Sequence, residues 1–490
     1  MVPRMNDSSQ NLRQTFTHRG LWLAMLAGLA VRTAIALTMD PGFQTGMQRW
    51  YLVGTATLAS GYGLKMPSAR TSPSFGTEEL PRPEDFMQQR EQEGGRIDPE
   101  HPYPPDVSGW IEGTHHPAGY TVFLYALYRV GNYTGMIILS RVLQIILDVT
   151  VCALIAVFAT LLFDRRVAIV AAWAYALCPP AFYLSTSLLP DAFHGFLTAS
   201  ILTATVLTRR KLPGMWIVAG LMLGIACHLR SEYVLMPVAL YVILVLERCS
   251  LWKPIPWLAG AVVVMLIVLS PWAMYMKSAT GRYRLNATVG GGNLYLGLGE
   301  EPRNPWGIGL SDAWLAKDAV TRGFESPWDA QANDTYFALF KQHVRERPGL
   351  YAKIVLLHRL PMALVPPHML GHTASSEEFR FTKYRLEEGL TKWQVLRKYP
   401  DRLIKHKWRE LVMMGYSAVL LACFVATGVL LRRDLRRYAW LALPWALTVG
   451  SMALFKHIEP RNMAPILFVQ LTAFAFCAVR WWERRARRTV

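Results

Sequence analysis

Apolar runs long enough to cross a bilayer recur along this chain, and they decide its fold class before any single residue is weighed. The first, Gly20 to Met39, is broken only by Arg32 and two threonines. Others lie at about 135–163, 166–184, 190–208, 213–229, 232–247, 255–276, 409–432, 437–455 and 462–482, judged by the roughly 17–25 residues a helix needs to span the hydrocarbon core. With 52% of residues hydrophobic, the expectation is an all-α polytopic membrane protein. It is a bundle of about ten transmembrane helices with two large external loop regions.

The net charge of +18 does not point to nucleic acid. The basic residues sit in short turns between the apolar runs: Asp164-Arg165-Arg166, Arg209-Arg210-Lys211, Glu247-Arg248 with Lys253, Arg432 to Arg437, and Arg480 to Arg488. Such clusters mark the cytoplasmic ends of spans, and no basic face is interleaved with aromatics as in nucleic-acid binders. The six cysteines, Cys152, Cys178, Cys227, Cys249, Cys423 and Cys477, lie in or beside apolar runs without a C-x-x-C pair. They read as small core hydrophobes rather than metal ligands or a disulfide frame.

Placing the basic turns inside puts residues 40–118 outside, a polar loop too long for a simple connection. It holds eleven acidic residues against six Lys and Arg, so it is where chemistry is expected. Gly119 to Val130 is short and aromatic and reads as an interfacial helix. A second external region covers 277–408. Within it, Leu350 to Leu370 is interrupted by Lys353, His358, Arg359 and prolines and reads as interfacial or re-entrant. No repeat or low-complexity tract divides the chain, which is read as one integral membrane domain over 1–490.

There is no G-x-x-x-x-G-K-[ST] loop, H-E-x-x-H, G-x-S-x-G or D-x-D motif, which argues against soluble-style nucleotide chemistry. What remains are polar residues at the outer ends of helices. Asp40 is either an N-cap ahead of Pro41 or a carboxylate able to take a proton from an acceptor hydroxyl. Asp191, after Pro190, has the same two readings. His194 follows Asp191 by one turn, so the two could share a polar cavity. His115 and His116 are loop or cap residues, or substrate contacts; their spacing does not support a metal site. Arg230 and Arg461 either snorkel to the interface or offer a guanidinium fork to a lipid phosphate. Gly290 to Asn293 is a flexible turn or a phosphate nest, which brings Asn293 among the candidate substrate contacts. Asn286-Ala287-Thr288 and Asn333-Asp334-Thr335 are formal glycosylation sequons.

Taken together, these features resemble the GT-C membrane glycosyltransferases that use polyprenyl-phosphate sugars, among them protein O-mannosyltransferases and lipid A aminoarabinose transferases. The resemblance rests on Tyr51-Leu52-Val53-Gly54 with Leu58 to Gly63, on His116-Pro117-Ala118-Gly119-Tyr120, and on Pro190-Asp191. It continues in the Gly220 to Arg230 run, in Pro271-Trp272, and in Glu459-Pro460-Arg461-Asn462-Met463-Ala464-Pro465. In the family the first-loop acid lies four residues before the tyrosine. Met47 holds that position here, and Asp40 is seven residues further back. Either an insertion lets Asp40 serve as base, or another acid serves, or catalysis is lost.

The resemblance implies a GT-C-like bundle and a sugar donor on undecaprenyl or dolichyl phosphate. It implies inverting transfer to a hydroxyl of a glycolipid, glycan or protein at the outer face of a membrane, in this reading the bacterial inner membrane with periplasmic loops. Asp40 and Asp191 would be catalytic. His115, His116, Tyr120, His194, Arg230, Asn293 and Arg461 would bind substrate, with Arg230 and Arg461 on the leaving phosphate. A divalent metal is optional in the family, and no dedicated site or certain cofactor is apparent. Two other readings stand beside this one: a non-catalytic lipid-binding or transport protein on the same scaffold, and a polymerase or ligase of lipid-linked glycans.

Overall fold

The computed structural model of the chain describes residues 5–38, 46–68, 82–98, 100–104, 107, 109–209, 212, 214–248, 250–301, 303–365, 394, 397–398, 400–455 and 466–488. It is all-α apart from one two-stranded sheet. A short amphipathic helix, α1 (Met5–Phe16), precedes α2 (Arg19–Thr38). The arginine that interrupts this apolar helix is fully buried: Arg32 Nε lies 2.5 Å from Asp148 Oδ2 of α5 (Gly119–Leu162), and Nη1 donates to the Ala176 carbonyl at 3.0 Å. The Tyr175 hydroxyl donates to the other Asp148 oxygen at 2.5 Å. A charge inside a membrane is tolerated when paired and hydrogen-bonded in this way.

The first external loop folds onto the bundle through α3 (Gly46–Ala59), α4 (Pro83–Gln92) and an antiparallel pair of strands. These are β1 (Lys65–Pro67) and β2 (Trp110–Glu112), with Met66 opposite Ile111. The segment 119–130, expected as a short helix of its own, is the part of α5 that precedes a break at Asn132, whose φ of 56° and ψ of −160° separate it from the long helix that follows. Loop residues satisfy both sides of the break. Arg96 Nη1 donates to the Arg129 carbonyl at 2.7 Å, and Glu91 accepts from the Thr134 amide at 3.0 Å and from its hydroxyl at 2.9 Å. These are the orphan carbonyls and amides that any helix end must satisfy.

The helices α6 (Arg165–Ala176) and α7 (Pro179–Thr186) meet at a 52° bend before Pro179-Pro180. Then follow α8 (Asp191–Arg209), α9 (Met215–Cys227), a 3-10 turn (Ser231–Leu235), α10 (Met236–Arg248) and α11 (Ile255–Thr280). Glycines let α9 and α11 approach closely: a Cβ at Gly220 would lie 2.4 Å from the Ala261 carbonyl oxygen, and one at Gly224 would lie 2.5 Å from Val268 Cβ. Small residues at membrane helix interfaces permit such approach.

The second external region builds a core of its own from Leu294, Leu298, Leu315, Trp328, Tyr336, Phe340 and Ile354. Its helices are α12 (Gly290–Leu296), α13 (Asp312–Thr321) and α14 (Ala330–Glu346). The stretch expected as interfacial or re-entrant begins as one continuous helical run over 348–364, made of α15 (Pro348–Lys353), a π-helix (Ile354–Arg359) and α16 (Leu360–Leu364). Three helices close the chain: α17 (Pro400–Leu430), α18 (Leu435–Phe455) and α19 (Leu467–Arg488).

Among the described residues, α2, α5, α11 and residues 412–430 of α17 are long and apolar enough to cross a bilayer alone, and the bent pair α6–α7 adds a fifth when counted as one broken span rather than a re-entrant loop. The expectation of about ten is reached only by counting helices such as α9, whose 13 residues cover about 20 Å of a roughly 30 Å core. The polarity of the bundle is clear. Arg480 meets Asp164 at 3.0 Å and Arg166 meets Glu483 at 3.5 Å, gathering basic turns at one end. From there α8 (in reverse), α11 and α18 lead to the other end, where the main cavity opens.

Candidate active site

That cavity measures about 980 Å³ and lies between the helix ends and the second external region. Loop 1 contributes Trp50, Tyr51, His115 and His116; α8 gives Asp191; the turn after α9 gives Arg230 and Glu232. The second external region adds Arg284, Asn293, Asp312, Asn333 and Asp334, and α18 adds Ser451.

The two sequence motifs nearest the cavity are held together by a backbone contact. The Gly119 amide donates to the His228 carbonyl at 2.9 Å, and a Cβ at Gly119 would sit 2.5 Å from that oxygen. Only glycine allows this approach, and it docks the His116-to-Tyr120 motif against the end of the Gly220-to-Arg230 run. His228 is itself fixed through Nε2, 2.8 Å from the Val268 carbonyl of α11. The far side of the motif is tied by Thr114, whose carbonyl accepts from the Thr288 amide at 2.9 Å and whose hydroxyl lies 3.0 Å from the Thr288 hydroxyl.

Arg230 follows α9 in an extended conformation that turns its side chain inward rather than out to an interface. Its guanidinium lies between two carboxylates, 3.9 Å from Asp191 Oδ1 and 3.5 Å from Glu232 Oε1. The Asp191 side chain is 1% exposed and that of Arg230 is 13% exposed. Asp191 is the first residue of α8, where a carboxylate is favoured by the helix dipole, but the ion pair with Arg230 goes beyond a capping role.

His115 is buried, with its ring edge-on to Trp50 at 5.3 Å and 4.4 Å from the ring of His116. Burial, with His116 adding to it, pushes the His115 imidazole well below the usual histidine range, so it is neutral at physiological pH. Its Nε2 has no hydrogen-bond partner among the described residues.

On the outer wall, Arg284 holds Asp334 through two bonds of 2.9 and 2.6 Å, which keeps that carboxyl below the ordinary range. Gly290 to Asn293 is neither a flexible turn nor a nest but the first turn of α12. Packing demands two of its three glycines: a Cβ at Gly291 would lie 2.1 Å from the Asn333 carbonyl oxygen, and one at Gly292 would lie 2.5 Å from Trp328, whereas one at Gly290 would meet nothing. Asn293 does line the cavity. Asn333 of the second sequon accepts from the Gly291 amide at 2.7 Å.

Of the remaining expectations, Asp40 and Arg461 lie outside the described residues. Tyr120 is buried behind the wall, donating to Gln144 Oε1 at 2.9 Å and set edge-on to Tyr51 at 4.9 Å. His194 does not share the cavity with Asp191; its ring stacks on Tyr233 at 5.7 Å. The acids of the first loop also fall short of the expectation, for none of the described ones lines the cavity. Glu84 pairs with Arg49, Glu112 with Lys65, Glu93 with Arg90, and Glu91 caps the second half of α5. Trp50, Arg284, Asp312 and Asp334, by contrast, line the site without having been singled out from sequence, and so does Glu232, which the sequence marks only as a charge interrupting an apolar stretch beside Arg230. Among the described residues no three His, Cys, Asp or Glu side chains converge as metal ligands, so these residues do not fit a metal site.

Residues 115–275, a third of the chain, match the family described as dolichyl-phosphate-mannose-protein mannosyltransferase. The chain resembles the GT-C membrane glycosyltransferases. The match opens at His115 and contains Asp191, Arg230 and Glu232, whereas Asp40, Asn293 and Arg461 lie beyond it. No curated protein matches the chain in sequence. Among solved structures, the Archaeoglobus fulgidus oligosaccharyltransferase AglB in complex with an inhibitory peptide and a dolichol-phosphate aligns with a TM-score of 0.48. Identity is 12%, over 96% of this chain and 51% of that one. The Archaeoglobus fulgidus enzyme tethered to an acceptor peptide containing the NVT sequon aligns with a TM-score of 0.47 at 13% identity, over 94% and 49% of the two chains. The chain spans about half the length of these structures.

Proposed function

We propose that this integral membrane protein is a glycosyltransferase that moves a sugar from a polyprenyl-phosphate donor to a hydroxyl group at the outer face of the membrane. The observation that carries this reading is the convergence of Asp191, Arg230, Glu232, His115 and His116 on one cavity at the mouth of the bundle. Beside it, sharing Glu232, Leu235 and Ser451 in its lining, lies a small pocket of about 30 Å³ between the 3-10 turn, α10 and α18. A polar chamber of about 980 Å³ at the mouth of an apolar bundle suits a donor whose charged head enters it while its hydrocarbon tail stays in the bilayer.

In this reading the acceptor hydroxyl gives its proton to a carboxylate as its oxygen attacks the anomeric carbon. The bond from that carbon to the phosphate oxygen breaks, and its electron pair leaves with the lipid phosphate. Such a donor is already activated, so the protein's work is positioning and charge stabilisation. Asp191 and Asp40 are the carboxylates assigned to the proton, and Arg230 keeps Asp191 anionic and oriented. Neutral His115 supplies a hydrogen bond to a sugar hydroxyl through Nε2. Arg461 is assigned to the leaving phosphate.

The test is transfer from a mixed pool of polyprenyl-phosphate sugars into a membrane lipid extract by wild type, Asp191→Asn and Asp40→Asn. Transfer by wild type and loss in a folded Asp191→Asn protein supports the reading. Loss in Asp40→Asn alone moves the base to Asp40. No transfer by wild type from a pool shown to contain competent donors favours a lipid-binding protein on this scaffold.

A further inference from the structure

We infer that Arg359 is a positioning residue that holds two walls of the cavity in register and thereby sets the affinity for the donor lipid; this rests on the glycosyltransferase reading above. Arg359 ends the π-helix, a rare conformation that recurs at functional sites, and it is completely buried. Its guanidinium reaches two separate segments. Nε lies 3.5 Å from Glu300 Oε2, and Nη1 lies 3.4 Å from the carbonyl oxygens of Ala453 and Leu454 in the last turn of α18. Gly297 provides the seat, since a Cβ there would lie 1.9 Å from Arg359 Nη2.

The neighbouring contacts serve the same docking. Glu301 accepts from Lys353 Nζ at 2.9 Å and lies 3.2 Å from His358 Nε2, while the Tyr351 hydroxyl donates to the Leu454 carbonyl. The Gly297-Leu298-Gly299-Glu300-Glu301 stretch, which the catalytic scheme does not use, is therefore the platform on which the π-helix sits.

Each segment that Arg359 grips continues into the cavity wall. Leu296 immediately precedes the seat and lines the cavity; Ser451 lies one turn or less before the gripped carbonyls and lines the same cavity. The gripped end of α18 thus carries part of the wall that the head of a bound donor would touch. Stability alone is a poor reason for this arrangement. The contacts are long, Nε and Nη2 have no hydrogen-bond partner among the described residues, and a buried charge held so loosely adds little to folding. What it fixes is the relative placement of α18 and the platform.

The experiment uses the full chain in detergent, with undecaprenyl phosphate as probe for equilibrium binding by tryptophan fluorescence and the donor pool for kinetics. Arg359→Gln and Gly297→Ala, the second of which changes no charge, should each weaken lipid-phosphate binding and raise the donor KM by roughly tenfold. Both should leave kcat and the acceptor KM unchanged, and Arg359→Lys should recover part of the loss. A purely structural role would lower the active fraction and leave the Kd of the folded protein alone. Unchanged Kd in folded Arg359→Gln and Gly297→Ala, with wild type binding normally, overturns the inference while leaving the functional reading intact. Wild type that binds but transfers nothing overturns the functional reading while the Kd comparison still decides the clamp. Wild type that fails to bind overturns both.

Discussion

Replacing Gly119 with alanine tests whether the cavity depends on the contact between its two principal motifs. The new Cβ would sit 2.5 Å from the His228 carbonyl oxygen and 2.9 Å from its carbonyl carbon, so one backbone must retreat by about 0.5 Å or more to reach ordinary contact. His228 has little room to give. Its ring is anchored 2.8 Å from the Val268 carbonyl, and α9 is pressed onto α11 at Gly220 and Gly224. Overpacking of this kind costs about 1–3 kcal/mol, and loss of the Gly119–His228 hydrogen bond adds about 1 kcal/mol. The expected destabilisation is therefore about 2–4 kcal/mol. Because Gly119 lies three residues after His116 and His228 two before Arg230, the same retreat moves the histidines away from the Arg230 guanidinium. Displacement on the order of 1 Å lowers transfer by about a hundredfold. Chemical unfolding in detergent, with transfer measured on the folded fraction, reads both effects. A Gly119→Ala protein with wild-type stability and wild-type transfer would refute the argument that this contact organises the site.

Removing the Arg230 charge in Arg230→Gln deprives Asp191 of an attraction of about 4 kcal/mol at 3.9 Å and an effective dielectric of roughly 20; transfer per folded molecule should fall by at least about a hundredfold, with Arg230→Lys falling less. Burial keeps His115 neutral well below the usual histidine value of about 6.5, so the unfolded chain takes up a proton that the folded chain refuses. Stability should be full above about pH 6.5 and fall by up to about 1.4 kcal/mol per pH unit below it, and His115→Phe should remove that slope in unfolding measured from pH 7.5 to 5.5. Burial pushes the Glu301 carboxyl up, but bonds from Lys353 and His358 outweigh it and hold it below the usual range. Its contribution is present above the unfolded carboxyl pKa and is lost as pH falls through the folded one. Glu301→Gln should therefore increase amide exchange in 348–359 at neutral pH, and the difference should shrink only as pH falls through the lowered titration of the folded Glu301 carboxyl.

The helical class, the basic turns and the order of the elements were legible in the sequence because apolar length and charge clustering are local properties. Most of the candidate site was legible too: His115, His116, Asp191, Arg230 and Asn293 all line one cavity. The failures share a cause, which is that side-chain direction depends on tertiary contacts. His194 and Asp191 are a turn apart on α8, yet the 3-10 turn after α9 takes the histidine ring onto Tyr233 and leaves Asp191 to Arg230. The acids of the first loop looked like a chemical resource by number alone, but Glu91 is used to mend the break at Asn132 and Glu84 to hold Arg49. Arg284 and Asp334, fifty residues apart, form a pair no local pattern announces.

The charge of the cavity narrows the division of labour within it. In a chain of net charge +18, the charged residues lining this chamber are Asp191, Glu232, Asp312 and Asp334 against Arg230 and Arg284. Arg284 is committed to Asp334 by two short bonds, and Arg230 faces both Asp191 and Glu232. Neither guanidinium is surplus to the carboxylates around it, so among the described lining the field favours accepting a proton over holding a doubly charged phosphate. Arg230 is then better assigned to Asp191 than to the leaving group. On the proposed reading a donor phosphate would find its positive partner beyond this lining, the role proposed above for Arg461 rather than Arg230. If so, Arg230→Lys should raise the pH at which transfer begins, since a looser pair leaves Asp191 easier to protonate, while Arg461→Lys should weaken lipid-phosphate binding with the pH profile unmoved. A shift of the profile in the second variant and not the first would reverse the assignment.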